Sequence, residues 1–136
     1  EDDDGHFSLM EKNLIRSGIT NPIIRFTDGQ QILDFLVQLK NPDFKHAKAP
    51  CLLILDIRMP KVDGLQVLET SKRDPELKKI PVIVLTTAGG KEVMSKCRHI
   101  GCCMFVVKPV DYEAFVESMD RIGHFLSIVE VPAVAS

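Results

Sequence analysis

Cys51-Leu52-Leu53-Ile54-Leu55-Asp56-Ile57-Arg58-Met59-Pro60 decides the fold of this chain. Five apolar residues run from Cys51 to Leu55 without a polar interruption, and one carboxylate follows them. A run that short, with no alternation, predicts a strand buried on both faces of a parallel sheet. Met59-Pro60 ends it, because proline cannot donate to a strand ladder. Asp63-Gly64 follows as a turn signal. Asp56 is thereby placed at the carboxyl end of a central strand, where open α/β sheets carry their chemistry.

Working outward, two further apolar runs end in polar residues: Ile80-Pro81-Val82-Ile83-Val84-Leu85 before Thr86-Thr87, and Cys103-Met104-Phe105-Val106-Val107 before Lys108-Pro109. Ile23-Ile24-Arg25-Phe26 reads as a short strand. Between the strands lie stretches with helical spacing. Phe7, Met10 and Leu14 predict a helix over 6–17 that Gly18 ends. Asp28-Gly29 turns the chain into a second helix carrying Ile32, Leu33, Phe35, Leu36 and Leu39. Leu65, Val67 and Leu68 mark a third helix that stops near Asp74-Pro75. Gly89-Gly90 leads into a fourth over 91–99, which Gly101 breaks. The last helix starts around Asp111 and runs to about 130, before Pro132. Lys72, Arg73, Lys78 and Lys79 read as a solvated face, and 40–50 as a solvated connector. His46 reads as an ordinary loop histidine.

Alternating strands and helices define an α/β doubly wound sheet. Such a sheet begins on a strand, whereas here a helix comes first. The expected first strand therefore lies upstream of Glu1; the alternative is that Phe125 to Val131 takes its place.

The 136 residues suit one domain with a core of its own. Apolar residues make up 45% and the net charge is −2 with both signs mixed, which excludes disorder and a nucleic-acid surface. Cys51, Cys97, Cys102 and Cys103 have no metal-binding spacing and read as free thiols of a reducing cytoplasm. No apolar stretch nears the roughly 18 residues of a membrane span. Glu1-Asp2-Asp3-Asp4 reads either as a solvated, helix-capping cluster or as a cation site.

The strand ends bring the acids at 1–4, Asp56, Thr86-Thr87 and Lys108 to one edge of the sheet. Clustered carboxylates call for a hard cation such as Mg²⁺. A lysine and a hydroxyl beside them supply donors for phosphoryl oxygens. Asp56 then becomes a candidate nucleophile for an aspartyl phosphate. Taken singly, Asp56 could cap the next helix, Thr86 could be an ordinary strand end and Lys108 a surface charge.

Together these motifs resemble the receiver domain of two-component response regulators, over essentially the whole chain. The resemblance rests on Glu1-Asp2, on Leu53 to Pro60 with Asp63-Gly64, on Pro81 to Thr87, and on Phe105-Val106-Val107-Lys108-Pro109. It implies a flavodoxin-like fold, a doubly wound parallel five-stranded sheet of order 2-1-3-4-5. It makes Asp56 the phosphoacceptor, with Glu1, Asp2, Asp56 and the backbone carbonyl of Arg58 holding Mg²⁺. Thr86 and Lys108 become phosphoryl ligands and Phe105 the aromatic switch residue, here without the hydroxyl of a tyrosine. Lys108-Pro109 is expected as a cis peptide. The partner implied is a sensor histidine kinase. The long connector and long last helix are similar to stand-alone receivers paired with bacterial phytochromes.

From this resemblance follow further expectations. Residues 1–136 form a single receiver domain without an appended output domain. The protein is cytoplasmic, not an enzyme, and signals through a changed protein-interaction surface. That surface, on the fourth helix, fifth strand and fifth helix of the fold, is also a candidate homodimer face, as is the apolar end of the last helix. No nucleic acid or membrane partner is expected. The competing readings are a phosphorylation-independent pseudo-receiver and an aspartyl phosphohydrolase, which would want an acid where Arg58 stands.

Overall fold

A computed structural model describes residues 4–16, 23–45, 47, 51–58, 61–87, 90–108 and 112–128. Three parallel strands pair in the order β1 (Leu53–Leu55), β2 (Val82–Thr86) and β3 (Met104–Val107). Leu55 lies beside Val84, and Val84 beside Phe105. All five residues of β2 are buried, which is why its sequence shows no polar alternation. Val82 and Val84 face one core; Ile83 and Leu85 face the other, as the two-residue period of a strand requires.

Helices cover both faces. On one side α2 (Gly29–Leu39) and α3 (Gly64–Arg73) bring Ile32, Leu36, Val67 and Leu68 onto Leu55, Val82 and Val84. Cys97 of α4 (Lys91–Ile100) joins the same core. On the other side α1 (Asp4–Arg16) and α5 (Tyr112–Ile128) bring Leu14, Phe115, Met119 and Ile122 onto Ile83 and Leu85. The expected helices are thus all present, with ends shifted by a residue or two. No helix among the described residues is long and apolar enough to cross a membrane.

The two aspartate–glycine pairs do more than turn the chain. Asp28 caps α2, its carboxylate accepting the Gln31 N–H at 2.9 Å. Asp63 caps α3 in a reciprocal box, accepting from Gln66 N–H at 3.0 Å while Gln66 Oε1 accepts from Asp63 N–H at 3.2 Å. Each such cap satisfies backbone donors that the first turn leaves without partners.

Four expectations need correction. Ile23 to Phe26 forms no strand among the described residues; a strand exists only through a ladder partner, and this segment is held by side chains instead. Phe26 packs on Phe35, 5.1 Å between ring centres, and Arg25 lies 4.8 Å over the Phe7 ring and 2.7 Å from Asp4. Phe125 to Ile128 belong to α5, so these residues do not supply a substitute strand. The connector after α2 is anchored rather than fully solvated: Phe44 packs edge-on against Phe35 at 5.6 Å and Ala47 is buried. Lys72 is half-buried, not part of a solvated face. Its Nζ donates to the carbonyls of Ile80 at 2.7 Å and Lys78 at 3.2 Å, and its stem runs past Gly101. Gly101 ends α4 at φ 130°, a conformation open to glycine and strained for other residues. Arg73, Lys78 and Lys79 are exposed as expected. His46 and Gly18 lie outside the described residues.

Candidate functional site

Asp56, Thr86 and Lys108 meet at the carboxyl ends of β1, β2 and β3. Asp56 directly follows β1 and is buried; Thr86 is the last residue of β2 and is fully buried; Lys108 directly follows β3 and is buried. The Lys108 N–H donates to the Thr86 carbonyl at 2.8 Å. That bond extends the β2–β3 ladder by one step and fixes where the lysine side chain starts.

The lysine Nζ reaches Asp56 Oδ2 at 2.9 Å, with the two side chains only 5% and 9% exposed. The other carboxylate oxygen, Oδ1, accepts the Arg58 N–H at 3.0 Å. An ion pair this far from water holds only when both charges find donors or acceptors, since each pays a large desolvation cost. The Arg58 amide supplies the second donor.

Asp56 does not cap α3, because Asp63 fills that role. Its carboxylate therefore stays in the site. Gly64 shows why the backbone there is so tightly set. A Cβ on Gly64 would overlap the Asp56 carbonyl oxygen and stand 2.6 Å from Ile57 Cα. The Gly64 N–H donates to the Ile57 carbonyl at 2.9 Å, so the start of α3 rests directly on the backbone of the aspartate. The turn signal was readable in the sequence; this close approach was not. The capping box has a sequence signal too, the three-residue spacing of Asp63 and Gln66.

Phe105 lies in the middle of β3, partly buried against the core that α3 and α4 cover. Glu1, Asp2 and Pro109 lie outside the described residues, and with them the expected metal-binding acids and the expected cis peptide. Among the described residues no group of three or more His, Cys, Asp or Glu side chains could hold a metal ion. The hard oxygen donor that the described residues place at the site is the Asp56 carboxylate, the donor type that Mg²⁺ takes.

Chemically, the arrangement offers one carboxylate oxygen pair, a buried ammonium on one oxygen, an amide on the other and a hydroxyl-bearing residue on the adjacent strand. It suits a carboxylate nucleophile whose product carries extra negative oxygens. Sheet and site together define a phosphoacceptor-type receiver.

The chain belongs to the response regulator receiver domain family, whose model matches residues 1–120. It is similar to the response regulator Rcp1 of Synechocystis, 32% identical over 136 residues covering 98% of this chain and 90% of that protein. Among solved structures it is similar to a response regulator receiver domain from Rhodospirillum rubrum, with a TM-score of 0.88 at 34% identity over 100% of this chain and 96% of that one. It is also similar to the phosphorylated cyanobacterial phytochrome response regulator RcpA, with a TM-score of 0.86 at 28% identity over 98% and 94% of the two chains. The fold is accordingly the flavodoxin-like receiver fold, and the chain is similar to the stand-alone receivers of phytochrome signalling. The strands β1, β2 and β3 take the 3-4-5 positions of the expected order.

Proposed function

We propose that Asp56 accepts a phosphoryl group from a sensor histidine kinase and that the phosphorylated chain signals through a changed protein-interaction surface. The observation that carries this reading is the buried Lys108–Asp56 pair at 2.9 Å, set at the ends of adjacent strands. A carboxylate oxygen of Asp56 attacks phosphorus, the P–N bond to the kinase imidazole breaks as the P–O bond forms, and the imidazole leaves with the bond's electron pair. Lys108 neutralises charge on the phosphoryl oxygens. The residues that would hold Mg²⁺ are Asp56 and the Arg58 carbonyl, with Glu1 and Asp2. When bound there, the ion supplies charge neutralisation and alignment for the transferring group.

Phosphorylation gives the site a group of about −1.5 to −2 charge with three strong acceptors. Thr86 and Lys108 then turn to those oxygens, and Phe105 repacks into the space Thr86 leaves. The face built by α4, β3 and α5 changes with it, and this face meets a partner or a second copy. In this reading the chain is a single cytoplasmic receiver domain and not an enzyme, and its kinase is of the phytochrome type. The Mn²⁺-bound structure of Rcp1 supports a divalent-cation site, and the phytochrome response regulators among the solved structures similar to this chain support a kinase of the phytochrome type.

The test is intact mass spectrometry of wild type and Asp56→Asn, each incubated with acetyl phosphate with and without Mg²⁺. The expected result is one phosphoryl group on wild type, only with Mg²⁺, and none on the variant. Equal uptake by Asp56→Asn would move the acceptor elsewhere. No uptake by wild type would favour the interaction module that works without phosphorylation.

A further inference from the structure

Lys61 and Val62, which follow Asp56 in the chain, are gripped from outside the site by the start of α2. Gly29, the first residue of α2, lies so close to Val62 that a Cβ on it would overlap the Val62 carbonyl oxygen and stand 2.7 Å from its carbon. One residue earlier, Asp28 is buried, and its Oδ2 stands 3.4 Å from Lys61 Nζ. Its Oδ1 is held by the Gln31 N–H, so the direction of the carboxylate is set by the helix it caps. Lys61 has φ 65°, the one positive φ outside glycine among the described residues. Such a conformation costs energy for an L-residue and persists where the surroundings impose it. At the other end Gly64 clamps the segment to Ile57. Inside this grip sits Arg58, whose N–H lies on Asp56 Oδ1.

We propose that Asp28 and Lys61 are positioning residues for phosphoryl transfer: their ion pair anchors the chain at Lys61, three residues after Arg58, and so helps to hold the Arg58 backbone against Asp56. This rests on Asp56 being the phosphoacceptor. Neither residue touches the reacting atoms. An ion pair with one exposed partner adds little to stability. Its effect is on geometry, and small misplacements of groups at a reacting centre lower rates strongly.

The test uses three variants of the full chain. Asp28→Asn keeps the helix cap, since asparagine caps as well as aspartate, and removes the charge. Lys61→Asn removes the cation and tolerates positive φ. Lys61→Arg keeps the cation. Phosphoryl uptake from acetyl phosphate is timed over a Mg²⁺ series, and exchange of the Arg58 amide hydrogen is measured without Mg²⁺ or phosphodonor.

Asp28→Asn and Lys61→Asn are expected to phosphorylate about three- to tenfold more slowly and to need more Mg²⁺ for half-maximal rate. Their Arg58 amide should exchange several-fold faster, with melting temperatures near wild type, and Lys61→Arg should behave as wild type. Wild-type rates and wild-type amide protection in both asparagine variants would overturn the positioning role while leaving Asp56 as acceptor. A loss shared equally by Lys61→Arg would also overturn it, since the charge would then not matter. Absence of phosphoryl uptake in wild type would overturn the reading of Asp56 and this inference with it.

Discussion

Asp56 and Lys108 stand 52 residues apart in sequence and 2.9 Å apart in the fold. Removing the lysine leaves a buried carboxylate without its cation, which is the situation that makes single truncations of buried pairs costly. Lys108→Ala is expected to accept a phosphoryl group but to lose the link between phosphorylation and any change in self-association or partner binding, read by size-exclusion chromatography before and after phosphorylation. Unchanged coupling would remove Lys108 from the switch. Gly64→Ala should destabilise by about 1–3 kcal/mol, because its Cβ meets backbone atoms that cannot rotate away. Urea unfolding at equilibrium checks this, and an unchanged midpoint would contradict it. Asp56, Thr86 and Lys108 were legible in the sequence because each ends an apolar run. Lys72 and Asp28 were not. Their partners, the Ile80 carbonyl and Lys61, are contributed by other segments, and no local pattern announces them.

Elements were legible as far as their own hydrogen bonds suffice. The helices α1 to α5 declare themselves by spacing and caps. The segment Ile23 to Phe26 has strand composition, yet a strand depends on a neighbour, and composition alone predicted a strand that the described residues do not show. Helix caps also set an acid limit. The backbone N–H of Gln31 holds the Asp28 carboxyl below its ordinary range, and Lys40, 2.7 Å away, does the same for Asp74. A carboxyl whose folded pKa is lowered contributes stability that is complete above its unfolded value, about 3.9, and that is lost as pH falls through the lowered folded value. Urea midpoints should therefore hold through the neutral range and decline below about pH 4. The decline should be shallower in Asp28→Asn, which keeps the cap without the titration. An identical pH profile in that variant would show that Asp28 plays no part. Gly90 caps α4 without a side-chain bond and has open space around it. Gly90→Ser should raise stability by roughly 0.5 kcal/mol, visible as a higher urea midpoint; no change would mean the added hydroxyl does not cap.

At the scale of the whole molecule, β2 separates two cores and carries side chains into both. Ile83→Ala should cost about 2–5 kcal/mol, since Ile83 is fully buried among α1 and α5 side chains. The same strand ends in Thr86, so the sheet that gives stability also fixes the site's floor. Class of fold and the meeting of three strand ends were legible from alternating patterns. The seating of the Asp56 backbone against Gly64 of α3, and of Lys61 and Val62 against the start of α2, was not, because it arises from tertiary packing of glycines and a buried charge. Conversion of Asp56 to an aspartyl phosphate is tested by borohydride reduction of the phosphorylated protein, followed by peptide mapping. Homoserine is expected at position 56 and at no other carboxylate, only after incubation with phosphodonor and Mg²⁺. Homoserine at another aspartate, with position 56 unmodified, would contradict it.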